Sequence, residues 1–450
     1  MATNTRLGGV FMKDTDGNIA SSSSVSTENI CGMIFDTAGF ADALGTGTAA
    51  TTFANGNVVE LNTTDDLKES GVDASVMCGL PYYHIKQYFT LAGENQRLFV
   101  SFMDSSKDAD FEAIELMQTA ADGIIYQIAV WTTKPSAQTG EGGNLVVTKL
   151  YTTLQTVAET LGGKINTVNY DGNSPINILL NAPVTEALTV DYKTLPDASL
   201  LNLPKVSHVL GQESSAEVHA IQTALIEALG GKMAVVGNIG AILGVLSVAP
   251  AEVSVAYVKN YNLSGAMQSC ELGFGEISYE ADKVDVSKSS FNNVKAITYT
   301  KRQNYLHSKG YMFLTPIEGI QGGIFFSSDQ TLSTGDYRSI SRCRVMHKSR
   351  RVVRQALLTK VNAPVVVDTS TGYMSSSDIT IYQNLVLEAL DNNMVEPGTT
   401  TPQISGRSCN IDSAQNILEN DQLQITYSLV PVGCTSAIFV TEGFAGSISD

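Results

Sequence analysis

The clearest structural pattern in the chain lies in residues 342–398, RCRVMHKSRRVVRQALLTKVNAPVVVDTSTGYMSSSDITIYQNLVLEALDNNMVEPG. Its first part, 342–360, predicts an amphipathic helix, because apolar side chains recur there at helical spacing. The apolar stripe comprises Val345, Val352, Val353, Ala356 and Leu357, and the basic side chains around it are Arg344, Lys348, Arg351 and Arg354. The stretch therefore opens with a basic amphipathic helix.

A second helix is predicted soon after the first. Pro364 introduces a short strand over 365–367, and Asp368 with Gly372 predicts a turn. Asp378 is the expected N-cap of a helix that runs to about Val395, where Glu396-Pro397-Gly398 ends it. Further strands are predicted at 408–411, 423–431 and 437–440.

Charge divides this part of the chain sharply. Residues 337–367 hold eight basic residues and no acid, whereas residues 368–450 hold ten acids and one basic residue, Arg407. Such a contrast can be satisfied inside one subunit, or it can make two faces of one subunit attract each other in a repeating array. Both interpretations remain open at this stage.

Upstream, strand and helix patterns alternate. Apolar strands are predicted at 30–35, 58–61, 97–103, 123–131, 164–169, 176–180 and 251–258, and helices at 111–121, 150–161 and 215–229. Alternation of this kind predicts parallel strands joined by crossover helices. The expected fold class is mixed α/β and α+β.

Composition limits the classes of function. The chain has 450 residues, 43% of them apolar and only 16% charged, which excludes a disordered chain and predicts two or three domains whose surface is partly covered by neighbours. Its net charge of −17 argues against a nucleic-acid partner.

Catalytic and metal-binding motifs are not found in the sequence. Gly163-Lys164 lacks both the first glycine and the hydroxyl residue of a phosphate-binding loop, and neither G-x-S-x-G nor H-E-x-x-H occurs. The five histidines are far apart, and the six cysteines show no metal-ligand spacing. We therefore expect no catalytic residue, no cofactor and no metal, and we interpret the cysteines as reduced thiols.

One stretch could be mistaken for a membrane span. Residues 233–251, MAVVGNIGAILGVLSVAPA, carry no charge and contain Gly240-x-x-x-Gly244. Asn238, Pro250 and the glycines favour a buried helix followed by a strand, with backbones packed closely at the glycines. The first residues show no secretory signal, so we expect a protein made in a cytoplasm without membrane insertion.

The carboxy-terminal residues resemble a known family. Residues 350–398, followed by CNIDSAQNILENDQLQITYSLVPVGCTSAIFVTEGF (409–444), are similar to the tail sheath proteins of contractile phages and contractile injection systems. The shared order is an arginine-rich helix, a strand introduced by proline, a second helix, an Asn-Ile-Asp strand and a final hairpin with Val-Pro-Val-Gly. Weaker similarities lie at 30–40, 83–103 and 122–131.

The resemblance implies a domain layout. A tube-proximal α/β sheath domain would be formed by the chain termini and the carboxy-terminal third, with an outer α/β domain inserted between them. We expect an extended arm at 1–29, the outer region at 30–300, which could comprise two subdomains, the sheath domain at 301–443 and a tail at 444–450. The arms would exchange strands with neighbouring subunits through Leu7, Val10, Phe11 and Met12 and through Ala437, Ile438, Phe439 and Val440.

The resemblance also implies a function. The chain would be a structural subunit, not an enzyme, of a helical sheath around an inner tube, and contraction would drive the tube through a target envelope. Its partners would be further copies of itself, the tube protein, and baseplate and terminator or cap proteins. The particle, a phage tail or an injection device, would assemble in a bacterial cytoplasm.

The tube contact is expected on one of the two helices. The basic candidates are Arg344, Lys348, Arg351 and Arg354, and the acidic runner-up is the set Asp378, Glu388 and Asp391. Many weak exposed ion pairs would suit a surface that must hold and then release a tube. Two alternatives remain, a static shell or surface-layer protein and an α/β enzyme whose site has no sequence motif.

Overall fold

A mixed sheet forms the centre of the larger part of the molecule. The computed structural model describes residues 29–162, 174–188, 190–267, 270–271, 303–317, 319–320, 322–395 and 402–435. Within these residues, seven strands form one sheet in the order β11-β8-β7-β4-β1-β3-β2. The strands are β1 (Cys31–Asp36), β2 (Val59–Leu61), β3 (Leu98–Met103), β4 (Gln127–Trp131), β7 (Asn177–Asn181), β8 (Val206–Val209) and β11 (Tyr311–Met312). All neighbouring pairs are parallel except β2 with β3, which confirms the expected α/β class.

Helices alternate with the strands. They are α1 (Thr48–Thr52), α2 (Thr64–Glu69), α3 (Leu80–Ala92), α4 (Ala113–Ala120), α5 (Leu150–Leu161), α6 (Ala216–Ala228), α7 (Ile239–Val248) and α8 (303–308). Those predicted at 111–121, 150–161 and 215–229 are present as α4, α5 and α6, whereas the strand predicted at 164–169 lies outside the described residues. Short strand pairs lie between them: β5 (Ala137–Thr139) with β6 (Leu145–Val147), β9 (Gln212–Glu213) with β10 (Cys270–Glu271), and β12 (Leu314–Thr315) with β13 (Phe325–Phe326). The side chains of β1, β3, β4 and β7 are all buried, as expected for strands covered on both faces.

The uncharged stretch 233–251 is a buried segment of this domain. Its middle forms α7, and Gly240 and Gly244 press against the backbone of α3: a Cβ added at Gly240 would lie 2.2 Å from the carbonyl oxygen of His84. Among the described residues, no helix is long and apolar enough to cross a lipid bilayer. The close backbone packing expected at these glycines is confirmed, but the strand expected at 251–258 is wrong, because those residues form turns.

A second, smaller core begins at a long helix. The remaining elements are α9 (Ile340–Leu358), α10 (Ser376–Leu390) with a π-helical turn (Asp391–Val395), β14 (Ile404–Asn410), α11 (Ile417–Asn420) and β15 (Thr426–Pro431). Among the described residues, the first core contains Ile340 and no residue after it. The second core contains residues of α9 from Val345 onward, residues that follow α9, and Ala251. The described residues between 303 and 340 therefore pack with the large sheet, and the two cores separate at α9.

We call residues 340–395 and 402–435 the C-terminal module, and we call the described residues before 340 the sheet domain. In the module, α10 packs on α9 and on the antiparallel pair β14–β15. The second core consists of the apolar faces of these elements, including Val353, Val386 and Leu429. The helix boundaries agree with the sequence within a few residues, although Ser375 is the N-cap of α10 and Asp378 is its third residue.

Candidate assembly surfaces

The basic helix lies inside the subunit. Arg344 is fully buried, Lys348 is 3% exposed, and Arg351 and Arg354 are half-buried. Arg344 donates hydrogen bonds to the carbonyl oxygens of Leu246 (3.0 Å) and Ala249 (2.9 Å). The expectation that Arg344 and Lys348 face a tube does not fit this geometry, because side chains enclosed by their own subunit cannot reach a partner surface.

Arg351 is also held by its own chain. Its guanidinium donates to the carbonyl oxygens of Gly123 (2.6 Å), Ile125 (2.9 Å) and Pro175 (3.0 Å), and its carbon lies 4.0 Å from the ring centroid of Tyr126. Among the three arginines of the candidate set, Arg354 is the one for which the described residues provide no comparable carbonyl cluster. The internal interpretation of the charge contrast therefore applies to most of this helix.

The acidic candidates have three different environments. Asp378 accepts hydrogen bonds from the Val366 amide (2.7 Å) and the Ser375 hydroxyl (3.2 Å), so it stabilises the first turn of α10. Asp391 pairs with Arg407 of β14. Glu388 is exposed, so it is the candidate on α10 that can meet a partner.

Exposed apolar side chains, which sequence reasoning missed, lie on the same module. They are Leu358, Val366, Tyr373, Ile381, Leu418, Val430 and Val432. Val366 and Leu418 are 67% and 70% exposed. Ile381 lies on α10 seven residues before Glu388, two helical turns away, so both belong to one exposed face. The sequence signal was Ile381 itself, an apolar residue outside the stripe of Ile379, Tyr382, Val386 and Ala389 that helical periodicity predicts for this helix.

The antiparallel pair β14–β15 carries no third strand on either edge among the described residues. Within the described residues each strand pairs only with the other, from Ile404 with Pro431 to Asn410 with Thr426. Two strands alone make a marginal sheet. The arm residues Leu7, Val10, Phe11 and Met12, and Ala437, Ile438, Phe439 and Val440, lie outside the described residues.

The carboxyl edge of the large sheet is the usual ligand position in open α/β folds. Here the carboxylate of Asp36, at the end of β1, accepts hydrogen bonds from the Ser105 amide and hydroxyl (3.0 and 2.7 Å) and from the Thr132 hydroxyl (2.5 Å). These bonds tie together the loops that follow β1, β3 and β4. Asp36 thus has a structural role that accounts for its burial.

A buried strap, residues 233–238, crosses the same edge. Trp131 Nε1 donates to the carbonyl of Val235 (2.8 Å), and His84 Nε2 lies 2.8 Å from the carbonyl of Val236. The Gly240 amide donates to His84 Nδ1 (3.3 Å), so Nε2 carries the proton and the ring is neutral. The strap covers the position where a small ligand would bind in this kind of fold.

Two buried histidines and one buried cysteine are held in uncharged forms. Burial lowers the pKa of His84 and of His208 to about 4 and raises the pKa of the Cys31 thiol to about 11. Tyr151 and the Ala182 carbonyl flank the His208 ring at 2.8 and 3.2 Å. No cluster of three or more potential metal ligands occurs in the described parts of the chain.

Comparisons with known proteins agree with this layout. The family model described as DUF2586, C-terminal domain, matches residues 336–449, a range that begins close to α9. No curated protein sequence matches the chain.

Two solved structures match almost the whole chain. The helical sheath of the anti-feeding prophage in its contracted state covers 99% of this chain and 100% of its own, with 13% identity and a TM-score of 0.54. The baseplate of the same particle covers 98% and 100%, with 13% identity and a TM-score of 0.52. The resemblance predicted from the carboxy-terminal sequence is therefore confirmed as a shared fold, and the chain has the fold of a contractile sheath subunit.

Proposed function

We propose that this protein is the structural subunit of a helical contractile sheath that surrounds an inner tube and shortens to drive the tube through a target envelope. The observation that carries the proposal is the match to a contracted sheath over 99% of this chain and all of that one. The covered carboxyl edge of the large sheet supports a structural role over the alternative of an α/β enzyme.

The open hairpin supports assembly by strand exchange. We propose that residues 7–12 and 437–440 of neighbouring subunits add strands to the two edges of β14–β15. Each added strand would satisfy backbone donors and acceptors across the subunit interface, so the connection would survive rotation of the subunit bodies. Contraction would then need no nucleotide, because a metastable extended array stores free energy in its contacts.

We place the tube contact on the exposed face of α10, at Glu388 and Ile381. The basic helix contributes to the interior, so the exposed charge of the module comes mainly from acids. A basic tube surface would complement it. Baseplate and terminator proteins are the further partners proposed, in a phage tail or injection particle assembled in a bacterial cytoplasm.

The test is assembly with the tube protein encoded beside this chain, followed by electron microscopy. We expect hollow helical cylinders of two lengths, long before triggering and short after it. Cylinders of one fixed length without a tube would indicate a static shell. A monomer that never assembles would refute the proposal.

A second candidate is a sheath-like component of a baseplate. The baseplate match, with a TM-score of 0.52, is nearly as good as the sheath match. Copy number separates the two functions, because a sheath polymerises over many layers and a baseplate component forms a single ring.

A further inference from the structure

We infer that α9 is the element that locks the C-terminal module to the sheet domain, through arginine side chains bound to main-chain carbonyls. At about 1.5 Å per residue, its 19 residues span about 28 Å. Ile340 belongs to the core of the sheet domain, whereas Val345, Val353 and Leu357 belong to the core of the module. One rigid element therefore takes part in both cores.

Two of the arginines bind the ends of helices in the sheet domain. Arg344 donates to the carbonyls of Leu246 and Ala249 and, at 3.3 Å, of Pro250, where α7 ends. Arg350 donates to the carbonyl of Gly162, directly after α5. The last carbonyls of a helix lack intrahelical partners and carry partial negative charge, so a cation there is stabilising.

The third arginine joins two neighbouring strands. Gly123 and Ile125 precede β4, and Pro175 precedes β7, so the bonds from Arg351 hold the amino ends of adjacent strands of the central sheet. A planar guanidinium can serve three carbonyls at once while it stacks on Tyr126, and a lysine ammonium at the same position cannot reproduce that geometry.

The three positions together fix the module against α5, α7 and the amino edge of β4 and β7. Because the bonds come from one helix, losing them should lower the free energy at which the module unfolds locally as one cooperative unit, while the sheet domain keeps its own core. The basic run of the sequence is, in this inference, a coupling device between two parts of one subunit. The inference concerns the single subunit and does not depend on the proposed function.

The test is hydrogen exchange followed by mass spectrometry on the full chain before any tube is added. Arg351→Lys keeps the positive charge but removes the planar guanidinium that binds several carbonyls, and Arg344→Lys does the same at the end of α7. The matched control is Arg354→Lys, on the same helix but without a carbonyl cluster. In the first two variants we expect amides of α10 and β15 to exchange about tenfold faster or more, while β1 and β3 stay protected.

Two results would overturn the inference. If the exchange rates of α10 amides rise no more in Arg351→Lys and Arg344→Lys than in Arg354→Lys, the guanidinium–carbonyl bonds do not couple the module to the sheet domain. If β1 and α10 lose protection together, the variants destabilise the whole subunit and the module is not a separable unit. Failure of the protein to form cylinders would not count against the coupling, since exchange is measured on the unassembled subunit.

Discussion

Replacing Gly240 by alanine should destabilise the subunit strongly, because α3 and α7 touch through their backbones at this position. The added Cβ would lie 2.2 Å from the carbonyl oxygen of His84 and 2.8 Å from its Cα and carbonyl carbon. Backbone atoms of a buried helix cannot swing away as a side-chain end can. The two helices would have to separate, which would loosen the packing of Ile85, Tyr88 and the strap.

The magnitude follows from two opposing effects. Overpacking of a dense core costs roughly 1–3 kcal/mol, and a clash with backbone belongs at the upper end. Alanine recovers about 1 kcal/mol of helix propensity relative to glycine. The expected net loss for Gly240→Ala is therefore about 2 kcal/mol or more in the free energy of unfolding.

Guanidinium unfolding of the full chain measures this loss, with two variants for comparison. Gly244→Ala places its Cβ 2.8 Å from Leu91 Cβ and 2.9 Å from the Tyr88 carbonyl oxygen, so a smaller loss is expected. Gly265→Ala is the control, because its Cβ would meet nothing within 4 Å. A stability of Gly240→Ala within about 0.5 kcal/mol of the unchanged protein, the range of neutral surface substitutions, would refute the backbone-contact argument.

Three further predictions concern acid, the arms and the tube face. The pKa values of His84 and His208 lie near 4 in the fold and near 6.5 when unfolded, so below pH 6.5 the unfolded state binds more protons and stability falls until pH 4. Each histidine should cost about 2 kcal/mol of unfolding free energy between pH 7 and pH 5, and His208→Gln should remove part of that slope in denaturant titrations at both pH values. Deleting residues 1–20, or the residues after 443, should leave a subunit that circular dichroism shows to be folded but that forms no cylinders in electron microscopy. Cylinders of normal length from either truncation would exclude strand exchange through the deleted arm. Glu388→Lys should abolish co-sedimentation with the tube at low salt while Arg354→Lys leaves it intact, and equal binding by both would exclude the α10 face.

Local sequence signals predicted about half of the helices and strands that the structure describes. Periodicity and punctuation predict β1 to β4, β7, α4 to α6 and the two helices at 340–358 and 376–390, because a buried strand or an amphipathic helix needs those patterns regardless of its neighbours. α3 was missed as a helix. Leu80–Ala92 is buried on nearly all sides, so its apolar and polar residues do not separate onto two faces. Periodicity detects a helix by that separation.

The sites were predicted less well than the elements. The sequence shows that residues 337–367 are basic, but an arginine on a helix is compatible equally with a partner surface and with buried carbonyls. The carbonyls that bind Arg351 come from Gly123, Ile125 and Pro175, more than 170 residues away along the chain. Backbone acceptors have no signature in the residue letters, so no pattern in the sequence could have indicated them.

The sequence by itself determined the α/β class, the carboxy-terminal order of helices and strands and the resemblance to sheath proteins, since these depend on local periodicity and on residue order. The tertiary structure alone decided that the two cores separate at α9, that Arg344 and Lys348 face inward, and that Glu388 and Ile381 face outward. The physical reason is that burial and pairing belong to contacts between distant segments. The residue type determines the charge of a side chain, but the fold determines which group that side chain contacts.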